Sequence, residues 1–185
     1  MTSTAHTRAT EAPPSELSYR SDWPQAEPPD WLKLACRWLL WKTGERRKPD
    51  GTIHLAKVPC YTDGTRRRGD LNIDGDRLVG YAEACAALAL WGDQMAGLGF
   101  ALGADGRGGY FQGIDFDKID ERPELAALVA QLPGYVEWSP SGRGVHALGY
   151  GAPFGTLGPN NSGIEAYCES RFFTFTGKMI RAGLV

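Results

Sequence analysis

The sequence predicts an α+β fold, a largely antiparallel mixed sheet with flanking helices. Three observations carry this. Short apolar segments outnumber helical ones, several of them are paired across turn-rich stretches of hairpin length, and 24 glycines among 185 residues supply many tight turns.

Residues 1–29 hold Pro13, Pro14, Pro24, Pro28 and Pro29 among polar residues with little to pack, so they read as a disordered or loosely draped arm. One domain over 30–185 is expected to follow, starting with a short helix at Trp31 that Asp30 can cap. Trp38-Leu39-Leu40-Trp41 reads as a buried strand. The turn-rich GERRKPDG leads from it to a second strand at 55–61, the two forming a hairpin, with Arg66, Arg67 and Arg68 in the loop beyond. Residues 81–91, YAEACAALALW, are helical by propensity, and Gly92 stops the helix. GLGFAL and YFQGIDFD flank the loop GADGRGG as strand, turn, strand. Residues 122–132 read as a helix with Asp120 or Glu121 as cap, Pro123 in its first turn and Pro133-Gly134 at its end. Strands at 135–138 and 145–150 bracket the loop SPSGRG, and 164–167 with 171–176 reads as a further hairpin.

No apolar run approaches the roughly 20 residues of a membrane helix. The start, MTSTAHTRATEAPPSEL, lacks an apolar core flanked by positive charge, so it reads as neither signal peptide nor anchor, and a cytoplasmic protein without a membrane partner is expected. Cys36, Cys60, Cys85 and Cys168 are scattered without any C-x-x-C pair, which speaks against a zinc site. A net charge of −2 argues against a protein whose main task is to grip nucleic acid electrostatically. The charge is unevenly spread, however. Residues 37–68 hold nine Lys or Arg against three acids, a local balance of +6, which leaves about −8 elsewhere. A basic face carrying Arg66, Arg67 and Arg68 toward a template, opposite an acidic face, fits those sums.

Three constellations carry chemistry. In GIDFD, Asp115 and Asp117 are two residues apart on a strand, so both project from one face, and paired acids at a strand end are suited to clamping magnesium. Taken alone, one acid could equally cap a turn while the other is solvated. In SPSGRGVHALGYG, Ser141, Gly142, Arg143 and Gly144 form a small polar loop whose backbone N–H groups can approach phosphate oxygens, and His146 starts the strand behind it. It is not a Walker loop, because no Gly-Lys-Ser/Thr follows and a strand comes next. An ordinary hairpin loop and a structural histidine are the plain alternatives. In GIEAYCESRFFTFTG, Glu165 adds a third carboxylate if it faces the same site, enough to hold two ions on an in-line phosphoryl displacement. An edge-strand charge facing solvent is the other reading.

In order and spacing, the acid-x-acid strand, the Ser-Gly-x-Gly-x-His loop about 25 residues on, and the apolar-Glu strand followed by Arg171 resemble the three motifs of the archaeo-eukaryotic primase superfamily. The resemblance is closest to the primase-polymerase domains of phage and plasmid replication proteins and extends over 37–176, with Lys57-Val58-Pro59 and RFFTFTG adding to it. It implies a primase-polymerase catalytic fold with an RRM-like part, and template-directed nucleotidyl transfer from nucleoside triphosphates onto a primer or initiating nucleotide. It further implies Asp115, Asp117 and Glu165 as ligands of Mg2+ or Mn2+, and His146 as a contact to the triphosphate. Ser141, Gly142, Arg143 and Gly144 would flank the phosphates, and Lys57 and Arg171 would be further cationic contacts. The implied partners are single-stranded DNA template, primer, nucleoside triphosphates and a fused or associated helicase, and the chain reads as cut from a longer replication protein. The absence of a zinc-binding cluster departs from many primases. Two other functions fit parts of the pattern: a metal-dependent nuclease or phosphohydrolase, and a non-catalytic module that binds single strands on Trp38, Trp41 and Tyr61.

Overall fold

The computed structural model describes residues 26–68 and 74–182, so the arm expected over 1–29 falls outside them except for 26–29. Helix α1 (Asp30–Lys33) begins after Pro29, which occupies the cap position, so Asp30 sits in the first turn and does not cap it. Strand β1 (Trp38–Arg47) runs well past the expected end at Trp41 and pairs antiparallel with β2 (Ile53–Cys60) from Leu40 opposite Cys60 to Arg47 opposite Ile53. Half of GERRKPDG is therefore strand. The reversal is confined to 48–52, where Gly51 takes a φ of +85° and the Asp50 side chain accepts from the Thr52 N–H.

The α+β class and the antiparallel pairing hold, but the strands form two sheets. The first has the order β2-β1-β3-β9, with β3 at Gly97–Ala101 and β9 at Phe172–Phe175. The second has the order β10-β6-β7-β5-β4, comprising β4 (Gly103–Ala104), β5 (Tyr110–Phe116), β6 (Tyr135–Trp138), β7 (Val145–Gly151) and β10 (Met179–Ala182), with β8 (Ile164–Tyr167) beside β5. Helix α2 (Tyr81–Trp91) packs on β1 and β3, and helix α3 (Pro123–Val129) places Leu125 and Val129 against the outer face of the second sheet with Phe116, Val136 and Val145.

Two expected hairpins are split between these sheets. GLGFAL does not pair with YFQGIDFD: β3 is flanked by β1 and β9 and buried along its whole length, so no edge is left for β5, whose hairpin partner is the two-residue β4. The chain changes sheet at Gly103, whose φ of +145° favours glycine. Likewise β8 pairs with β5 while β9 pairs with β3, the switch being made over 168–171 with Ser170 in the left-handed region. The pattern of β9 accounts for this, since it has apolar side chains on both faces, Phe172 on one and Phe173 and Phe175 on the other. Helix α3 is capped at Arg122 without a side-chain bond, since Asp120 and Glu121 are engaged by Arg143 instead, and it ends at Val129, three residues before the expected end. Strand β10 had no counterpart in the expected elements.

Aromatic rings hold the sheets together. Trp38 meets Phe100, Phe175 and Tyr81 edge-on, with ring centroids 5.2, 5.1 and 4.9 Å away. Strand β9 then lies across the inner face of the second sheet: Phe175 stacks on Tyr135 at 5.5 Å, and Phe173 fills the space above Gly113, where a Cβ would come within 2.5 Å of its ring. Among the described residues no helix is long and apolar enough to cross a membrane.

Candidate active site

Glu165, Asp115, His146 and Glu137 are successive register partners on β8, β5, β7 and β6. Directly opposed residues share a face, so the four side chains form one row on the inner face, under β9. Water access falls along it. The Asp115 side chain is 28% exposed, His146 5% and Glu137 0%.

His146 is fixed at the centre of the row. Its Nδ1 lies 3.1 Å from the carbonyl oxygen of Thr174 on β9. A carbonyl only accepts, so Nδ1 carries the hydrogen and Nε2 is left facing Asp115, 3.8 Å from Oδ1. The Phe173 ring packs against the imidazole at 4.9 Å. Burial pushes the Asp115 carboxyl up from its ordinary range; His146 and Lys57 oppose that shift, while Asp117 and Glu165 add to it. Glu165 accepts a 2.5 Å hydrogen bond from the Tyr167 hydroxyl, and the Arg171 guanidinium lies over the Tyr167 ring, 4.8 Å from its centroid.

Asp117 falls one residue beyond the end of β5 and is exposed. Its N–H donates to the Gly163 carbonyl, and Lys118, with a φ of +53°, ends the strand there. It remains close enough to Asp115 for the two charges to interact. Among the described residues, no group of three His, Cys, Asp or Glu converges closely enough to hold a metal ion. The donor chemistry of Asp115, Asp117 and Glu165 nevertheless suits magnesium or manganese: hard carboxylate oxygens, the innermost of which is disfavoured as an anion mainly by burial.

A cavity of about 210 Å³ opens on this row, with Lys57, Asp115, His146, Pro159, Glu165 and Arg171 in its walls. Lys57 and Arg171 also line a neighbouring groove of about 770 Å³, together with Arg66 and Arg68. The acidic row therefore meets a basic wall.

Other expected site residues lie elsewhere. Ser141, Gly142, Arg143 and Gly144 are absent from the walls of this cavity, and their polar groups are engaged within the loop or by the acids before helix α3. Ser141 Oγ is 3.1 Å from Ser139 Oγ, the Gly144 N–H donates to Ser139 Oγ, and Arg143 pairs with Asp120 and Glu121. Arg67, expected as a template contact, borders the same groove but turns its guanidinium into the fold. Its guanidinium is 1% exposed and donates to both oxygens of Asp74, at 2.8 and 2.6 Å, while the Tyr61 hydroxyl donates to the same carboxylate. Arg66 and Arg68, on either side of it, are exposed. Trp38, Trp41 and Tyr61 are buried, so none of them offers a surface for stacking bases.

Glu137 was not anticipated. Its carboxylate accepts from the Tyr135 hydroxyl at 2.9 Å and from the backbone N–H groups of Thr176 and Gly177 at 2.9 and 2.8 Å, and one oxygen stands 3.8 Å from Nδ1 of His146. A lone acid within the apolar strand YVEW was the available signal, because a buried carboxylate persists only where donors converge on it. Compared with protein-family models and with curated proteins, the chain matches none.

Proposed function

We propose that the chain is a template-directed primase-polymerase that transfers nucleotidyl groups from nucleoside triphosphates onto a primer or initiating nucleotide. The observation that supports this best is the in-register row of Glu165, Asp115 and His146 opening into a cavity that Lys57 and Arg171 also line. Phosphoryl transfer asks the protein mainly for positioning and charge neutralisation, and this arrangement provides both.

On this reading Asp115, Asp117 and Glu165 hold Mg2+ or Mn2+, which when bound neutralises phosphate charge and polarises the reacting oxygens. His146, locked by Thr174, turns its Nε2 edge to the nucleotide. Lys57 and Arg171 offset the triphosphate charge, and Arg66 and Arg68 take the template strand in the adjoining groove. The fold would be a primase-polymerase catalytic fold, its second sheet the RRM-like part, and a fused or associated helicase would open the template. The loop donors Ser141 and Arg143 have a part only if nucleotide binding draws 139–144 toward the cavity.

The test is a gel of products from a single-stranded template, with and without primer, in Mg2+ or Mn2+, with each nucleotide set. Products longer than the primer, or formed without one, bear the proposal out. Shortening of labelled DNA without incorporation assigns the row to hydrolysis, and no change to either strand overturns both.

A further inference from the structure

Beyond Trp41, which pairs with Gly97, β1 has β2 as its sole strand partner among the described residues, so 42–58 project as a two-stranded ribbon. The register sorts its side chains. Arg47 opposite Ile53, Glu45 opposite Leu55 and Thr43 opposite Lys57 share one face, while Arg46 opposite His54 lies on the other. Ile53 and Leu55 are 54% and 47% exposed, unusual for aliphatic side chains on a ribbon flanked by cations. Lys57, on that same face, lines both the active-site cavity and the basic groove. An apolar strip edged by positive charge thus runs outward from the site.

We propose that this face of the ribbon docks the primer–template duplex beside the reacting end. Three observations select a duplex. The charge on this face is complementary to phosphate, with Arg47 and Lys57 against Glu45 as its one acid. The exposed apolar groups are aliphatic, whereas single strands are held by aromatic platforms on which bases stack. A two-stranded ribbon is a shape that a duplex groove admits, with Ile53 and Leu55 against sugar and base edges and Arg47 and Lys57 beside the phosphates. Lys57 lies four positions along β2 from Ile53, a reach of about 13 Å, or roughly four base pairs.

This inference rests on the polymerase reading, and the experiment separates the two. Arg47→Glu and the double variant Ile53→Ser/Leu55→Ser are compared with Arg46→Glu, the same charge change on the opposite face, by fluorescence anisotropy on a short DNA duplex with a template overhang and on the single-stranded template alone. Both test variants should raise the duplex Kd about tenfold or more, with single-strand binding within about twofold of the parent, and Arg46→Glu should have a clearly smaller effect. Circular dichroism confirms that each variant is folded. Equal effects of Arg46→Glu and Arg47→Glu, with parental duplex binding by the Ser double variant, overturn the docking face. So does self-association of the parent that the Ser double variant abolishes while duplex binding is unchanged, which assigns the strip to a second copy of the chain. If the parent incorporates no nucleotide but the duplex losses occur as stated, the docking face stands and the polymerase reading falls.

Discussion

An oxygen of the fully buried Glu137 carboxylate stands 3.8 Å from Nδ1 of His146, while two backbone N–H groups at the end of β9 and the Tyr135 hydroxyl donate to the same carboxylate. One acid thereby ties the second sheet to the strand that orients the histidine. Glu137→Ala strands three buried donors and should lower stability by roughly 3 kcal/mol or more. Glu137→Gln keeps the shape and one acceptor and should lose less. Urea denaturation of both variants checks the order.

Asp115→Asn should lower nucleotide incorporation at least about 100-fold while stabilising the metal-free protein. Burial holds the Asp115 pKa above its ordinary value, so the folded state binds that proton more tightly than the unfolded chain. The resulting stability is fully present below the ordinary carboxylate pKa and is lost as pH rises through the folded value. Thermal melts in chelator should therefore show the Asn variant above the parent near pH 7, with the gap closing toward about pH 4. Added Mn2+ should raise the melting temperature of the parent and leave the variant unmoved.

Arg67→Ala or Asp74→Ala leaves its partner as an uncompensated buried charge and should lower stability by about 3–5 kcal/mol. Arg66→Ala and Arg68→Ala, both at exposed positions, should stay within about 0.5 kcal/mol of the parent. Denaturant midpoints of the four variants test whether the three consecutive arginines divide in this way.

The Arg66→Ala/Arg68→Ala double variant should bind single-stranded template more weakly, and the slope of log K against log salt should shrink by about 1.4 if each guanidinium neutralises one phosphate. Nucleotide affinity should be nearly unchanged. Titrations at several salt concentrations give both numbers.

Elements fixed by local pattern were legible in the sequence. The Ala-rich helix ending at Gly92 and the strands on either side of SPSGRG stand where propensity and turn chemistry put them. What sequence could not supply was partner choice. GLGFAL and YFQGIDFD are adjacent strands, yet the burial of β3 on both faces sends them to different sheets, a tertiary fact with no local signature. The placement of the proposed site residues divides on the same ground. Asp115, His146 and Glu165 come together because their strands pair, whereas Arg143 is drawn away by Asp120 and Glu121, and Arg67 turns inward to Asp74. Glu137 escaped notice because a buried acid is made tolerable by donors 39 and 40 residues away.

The switch of the chain over 168–171, from one sheet to the other, also orders events in time. His146 waits for a carbonyl 28 residues downstream, and Glu137 for amides farther still, so neither can be satisfied until β9 has been made and has crossed over its neighbour. Contacts this distant in sequence slow folding, because loop-closure entropy is lost before the contacts can compensate for it. A nascent chain that has reached β7 already carries the Asp115 and His146 strands but has nothing to lay across them, and the apolar surface around Gly113 stays open to solvent and to other chains. Synthesis of β9 is thus the step at which an aggregation-prone intermediate becomes a protein with an ordered histidine.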